Sequence, residues 1–136
     1  MAGNVTVTAG VTLTIEPGVT VQGNSSTRTL TVNGTLSAVG TGGSPITFTS
    51  PSNSAPGHWD GINFGSTASA SSLKFVNVRY GGNGLSASNG MIEVSGGTVM
   101  IEDSLIEQST SGLVALAAVA QLRVRRADQG IARVRT

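Results

Sequence analysis

Few side chains in this sequence can do chemistry. One histidine and seven acids are spread over 136 residues, and there is no cysteine. Disulfides, thiolate metal sites and multi-histidine metal sites are therefore excluded. His58, Trp59 and Asp60 form the one cluster of catalytic residue types. His58 and Asp60 are close enough in sequence to share a proton, but no nucleophile is expected beside them. Trp59, in a loop ahead of a strand, reads more readily as a lid on the core than as a ligand platform.

The remaining acids suit other chemistry only if the fold brings them together. Glycoside cleavage needs an acid and a base on one face, their carboxyls about 5–9.5 Å apart. Asp60, Glu93, Glu102 and Asp103 also offer oxygen ligands for calcium, but no Asp-rich nonapeptide accompanies them. No catalytic residue, metal site or cofactor is assigned from these residues. Threonine is the other conspicuous type. Twelve of the sixteen precede residue 50, and the pairs Thr12/Thr14, Thr29/Thr31 and Thr47/Thr49 recur at offsets of 17 and 18.

Which of these side chains meet depends on the elements that carry them. Apolar residues alternate with polar ones at Val5, Val7, Val11, Leu13, Ile15, Val19 and Val21, the period of a strand with one face inward. Gly and Pro fall in the breaks, as at Glu16-Pro17-Gly18. Leu73, Phe75, Val78 and Tyr80 have a counterpart 26 residues on in Val99, Ile101, Ser104 and Ile106. A weaker return follows at Leu122, Val124, Ala127 and Gln129. Partner strands precede each copy at Ile62–Phe64, Ile92–Val94 and Val114–Leu116. Strands repeating every 22 to 30 residues, with connections too short for crossover helices, predict coils stacked in parallel. The fold class is all-β, a right-handed parallel β-helix (β-solenoid) of about five coils. Leu13, Leu30, Phe75 and Ile101 are expected in its core.

Composition agrees. Nineteen glycines and only 11% charged residues suit a chain of strands and tight turns. The chain is too apolar for wholesale disorder, and membrane insertion is not expected. Residues 1–112 hold three basic and six acidic residues; residues 113–136 hold five arginines against Asp128. The overall charge of +1 gives no reason to expect nucleic acid. No charged leader and apolar core open the sequence, so any export signal is expected to lie outside it. Two domains of structure follow: coils over 1–112, then a tail over 113–136. The tail reads as a degraded last coil, matching Gly90, Ile92 and Val94 with Gly112, Val114 and Leu116. It reads alternatively as a short capping helix with Leu113, Leu116, Ala120, Val124, Ala127 and Ile131 on one face. An end translated out of frame is the third reading.

The segments Gly10–Gly18 (GVTLTIEPG), Asn33–Leu36 (NGTL), Pro45–Ser50 (PITFTS), Gly57–Ile62 (GHWDGI) and Arg79–Gly82 (RYGG) resemble right-handed parallel β-helix repeat proteins of the pectin-lyase-like superfamily. The resemblance covers about residues 5–112. It implies a secreted or surface protein and a piece of a longer chain whose further coils would be partners. It does not imply one activity, since that superfamily holds polysaccharide lyases and hydrolases as well as adhesins. The family's paired catalytic aspartates and calcium aspartates have no counterparts here.

Stacking at the 26-residue spacing puts Asn63 over Glu93 over Ala115, Lys74 over Met100 over Arg123, and Arg79 over Leu105 over Asp128. Asp103 then aligns with Asn77. No two acids share a ladder, which favours a non-enzymatic structural or adhesive segment, with polysaccharide or a cell-surface glycan as the ligand. The alternatives are a non-catalytic piece of a polysaccharide lyase or hydrolase, and ice binding through three stacked Thr-x-Thr rows. Candidate ligand-binding residues are Thr12, Thr14, Thr29, Thr31, Thr47, Thr49, Trp59, Asp60, Asn63 and Glu93.

Overall fold

The computed structural model describes residues 1–82 and 90–110, and the backbone of 112–116, 121–125 and 133–134. All its regular elements are strands. The first three are β1 (Val5–Val7), β2 (Thr12–Ile15) and β3 (Thr20–Gln22), followed by β4 (Thr29–Val32), β5 (Thr35–Val39) and β6 (Ile46–Thr49). Next come β7 (Gly61–Phe64), β8 (Ser71–Lys74) and β9 (Val76–Arg79), then β10 (Gly90–Val94), β11 (Thr98–Glu102) and β12 (Leu105–Glu107). The last are β13 (Gly112–Leu116), β14 (Gln121–Arg125) and β15 (Arg133–Val134). Every third strand joins the same sheet, giving three sheets of five strands: β1-β4-β7-β10-β13, β2-β5-β8-β11-β14 and β3-β6-β9-β12-β15. All ladders are parallel. Each coil thus gives one strand to each side of a three-sided β-solenoid.

The alternating pattern explains the core. In the third sheet the inward file runs Val21, Phe48, Val78, Ile106 and Val134 by register. In the second it runs Ile15, Ala38, Leu73, Ile101 and Val124. In the first, Val7, Val32, Phe64, Val94 and Leu116 share a file. Each file adds one side chain per coil at a spacing of about 4.8 Å, so a residue touches the like residue above and below. Leu30 and Ile101 are buried, while Leu13 is half-buried at the first coil.

Phe75 departs from expectation. It is half-buried at a corner with φ +48°, and its ring lies 5.8 Å beneath Lys74 Nζ. The stacked copy begins 28 residues on, not 26: Leu73 pairs with Ile101, and Ser71 with Val99. A slip of two residues keeps every side chain on its own face, so alternation alone does not distinguish 26 from 28. The corners do. Phe75 and Asp103 have φ +48° and +46°, and Tyr80 and Gln108 both have φ +59°. Like corner therefore sits on like corner, and Phe75 N–H donates to Glu102 O at 3.1 Å. Lys74 consequently faces Glu102 rather than Met100, Arg79 faces Glu107 rather than Leu105, and Leu105 pairs with Asn77.

The early offsets of 17 and 18 are steps from one side to the next, not from coil to coil. Thr12 pairs with Thr35, Thr20 with Thr47, and Leu30 with Val5. In the tail, Gly112–Leu116 and Gln121–Arg125 are strands where the helical reading had placed a cap. The third return lies at Arg133–Val134, paired with Leu105–Ile106, instead of at Ala127–Gln129. The rest of the tail lies outside the described residues.

Two serines in the core have a specific task. Ser104, 3% exposed, accepts from Val76 N–H at 3.0 Å and donates to Glu102 O at 2.7 Å. Ser71 repeats this, accepting from Leu36 N–H and donating to Ser69 O. Both sit where a strand resumes after a break and bridge backbone groups of different coils. Ser104→Ala should therefore lower stability by about 1–3 kcal/mol, the cost of a buried N–H left without its acceptor. Chemical denaturation of the two proteins measures this, and an unchanged midpoint would show that water replaces the hydroxyl.

Candidate functional site

The polar side chains gather at the first sheet and at the corner leading into it. On the sheet's outward face Thr6, Thr31, Asn63, Glu93 and Ala115 form one file by register. Thr31 and Asn63 are half-buried, and Glu93 is 5% exposed. Asn63 Oδ1 is a buried acceptor with no hydrogen bond. Beside this file Thr29 Oγ1 donates to Asp60 Oδ2 at 2.7 Å, while Thr29 N–H donates to Asn4 Oδ1. The fold thus brings together Thr29, Thr31, Asp60, Asn63 and Glu93 from three successive coils.

Two glycines permit this. Gly61 opens β7 with φ +143°, and a Cβ there would come within 2.1 Å of Met91 O. Gly81 meets the indole of Trp59. The segment around His58 is zipped onto residues 79–82: Gly57 N–H donates to Gly81 O, His58 N–H to Tyr80 O, and Gly82 N–H to Asp60 O. Trp59 completes the zipper, its Nε1–H donating to Arg79 O at 2.8 Å. It is fully buried. This matches the lid role and removes Trp59 from the residues that a ligand could touch.

A hollow of about 340 Å³ opens next to the zipper, lined by Asn24, Ser25, Ser26, Ser50, Pro51, Ser52 and His58. Here the structure supplies what the sequence had concealed. Ser52 Oγ lies 2.7 Å from His58 Nδ1, six residues apart across a turn, so His58 does have a hydroxyl beside it. The carboxylate of Asp60, two residues away, is hydrogen-bonded to Thr29 instead. A working Ser–His nucleophile also needs a group orienting the imidazole and donors for an oxyanion. The contact that is present makes a polar, exposed hydrogen-bonding surface.

The other threonine pairs do not join this site. Thr12/Thr14 belong to the second sheet and Thr47/Thr49 to the third, whereas Thr29/Thr31 lie on the first. The single flat face required for three stacked Thr-x-Thr rows is not formed. The acids are also separated. Glu93 stacks between Asn63 and Ala115, Glu102 between Lys74 and Arg125, and Glu107 on Arg79. Lys74 Nζ is 3.3 Å from Glu102 Oε2. Cross-strand pairs of opposite charge favour this register modestly. Among the described residues no three His, Asp or Glu side chains cluster as metal ligands, and no helix is long and apolar enough to cross a membrane.

Parallel coils, polar files on the outer faces and a polar corner are shared by many β-solenoids, so comparison with families decides between them. The family model for the pectate-lyase-like β-helix domain matches residues 1–118. The chain belongs to this family. The match runs through β13 of this pectate-lyase-like β-helix domain. No curated protein and no solved structure matches the chain.

Proposed function

We propose that this β-helix is a non-catalytic structural or adhesive segment of a secreted or cell-surface protein, with a polysaccharide as its ligand. The carrying observation is the composition of the outward files: each described ladder sets a carboxylate against an amide or a base. Such files cannot supply the acid and base of glycoside cleavage from stacked positions. The Thr31–Asn63–Glu93 file and the serine-lined hollow offer hydroxyl, amide and carboxylate groups that hydrogen-bond sugar hydroxyls.

Two assays test this. Incubation with polygalacturonate, with and without calcium, should release no unsaturated or reducing ends. Cleavage that disappears in Asp60→Asn or Glu93→Gln would overturn the non-catalytic reading. Retention on immobilised pectic polysaccharide should fall in Asn63→Ala, and equal retention would remove the file from the binding surface. The second reading is a non-catalytic piece of a longer polysaccharide lyase or hydrolase, favoured by the family match. On that reading, further coils added to this segment would restore cleavage.

A further inference from the structure

The first coil ends in an apolar cup. Val5, Leu13, Ile15, Val19, Val21 and Leu30 line a hollow of about 330 Å³ with Glu16 at its side. Val5 and Val19 are 38% and 40% exposed. Leu13 and Val21 occupy the register positions of Leu36 and Phe48, yet the core covers them on one side only. Around this cup β1, β2 and β3 are the outermost strands of all three sheets. Their outer edges carry backbone groups with no strand partner, which is a template for another strand.

We propose that the occupant of this cup is a second copy of the chain, stacked head-to-tail with its β13, β14 and β15 on β1, β2 and β3. Three observations select this occupant. First, β13, β14 and β15 are the opposite outermost strands of the same three sheets, so the operation that stacks coil on coil within the chain continues into the next copy. A head-to-head pair would need antiparallel ladders, and every ladder between strands here is parallel. Second, Val114, Leu116, Leu122, Val124 and Val134 hold the register positions that continue the inward files. Third, the charges are complementary: the cup's edge bears Glu16, whereas residues 113–136 carry five arginines against one aspartate. Because the two surfaces differ, the contact is heterologous and does not close at a dimer; it extends into a filament.

Sedimentation velocity of the full chain over a range of concentrations should show a series of species growing past the dimer. Val19→Lys and Glu16→Lys change exposed residues, so both should keep the circular dichroism of the parent. Each should raise the concentration for half-assembly about tenfold or more. Because the chain has no cysteine, disulfides can report the geometry. Thr14, Ser37, Ser72, Met100 and Arg123 share one file, so Thr14 and Arg123 of one copy lie about 19 Å apart at four coil spacings. That exceeds the roughly 7 Å reach of a disulfide. The Thr14→Cys, Arg123→Cys double variant should oxidise to a ladder of covalent multimers, and neither single variant should do so. A monomer at all concentrations, a closed dimer cross-linked through Thr14→Cys alone, or assembly unaffected by Val19→Lys and Glu16→Lys would each overturn the proposal.

Discussion

Replacing Trp59 with alanine is expected to cost about 3–5 kcal/mol of stability, as for a large aromatic removed from a close-packed site. Trp59 is fully buried, and it is held at both ends. A Cβ on Gly23 would lie 2.7 Å from its Cβ, and one on Gly81 would lie 2.9 Å from its Nε1. The backbone has thus been pared to glycine on two sides to admit the indole. Its N–H satisfies Arg79 O, so truncation also leaves that carbonyl without its donor. Trp59→Phe separates the two effects: it keeps most of the volume, loses the donor, and should cost only about 1–2 kcal/mol. Urea denaturation followed by circular dichroism measures both. As the one tryptophan of the chain, Trp59 also gives the parent a fluorescence signal from this corner alone. Blue-shifted emission that shifts red in step with unfolding is the expected signature. A Trp59→Ala protein within 1 kcal/mol of the parent would mean that the corner is not packed as described.

The strands were legible in the sequence because alternation is a local signal. Ile62, Ile92 and Val114 were aligned correctly, and so were Phe64, Val94 and Leu116. The Asn63–Glu93–Ala115 file followed from them. What alternation cannot carry is displacement by an even number of residues, which exchanges ladder partners without turning a side chain over. That degeneracy put Lys74 on Met100 instead of Glu102, and it hid the Lys74–Glu102 ion pair. It also made Phe75 look like a core residue. A signal was available: Asp103 is a residue type that tolerates a left-handed corner, and aligning it with Phe75 gives the observed offset of 28. The Thr pairs misled for a related reason. Side follows side at nearly the spacing expected of a small coil, and a threonine pattern does not say which of the two it marks. The Ser52–His58 contact had no periodic signal, since it depends on how an irregular loop folds back over six residues.

Gly61→Val should be the most damaging single change in the first sheet, with a loss on the order of 3 kcal/mol or more. Two costs coincide at this position. The backbone holds φ +143°, which side-chain-bearing residues rarely adopt, and the added Cβ would lie 2.1 Å from Met91 O. That neighbour is backbone within β10, so it cannot rotate aside as a side chain would. Relief requires parting β7 from β10, and this ladder also carries the pairs Ile62–Ile92 and Phe64–Val94 in the core and Asn63–Glu93 on the outer face. Thermal unfolding should therefore fall sharply, and retention on pectic polysaccharide should fall with it even in the fraction that remains folded. Gly43→Ala is the control, because a Cβ there meets nothing within 4 Å. It should change stability by less than about 0.5 kcal/mol. If Gly61→Val unfolds like Gly43→Ala, the close approach of the two coils is not real, and the stacking of Asn63 on Glu93 fails with it. If Gly61→Val loses stability but binds polysaccharide as the parent does, the coil contact stands and the binding surface lies away from the first sheet.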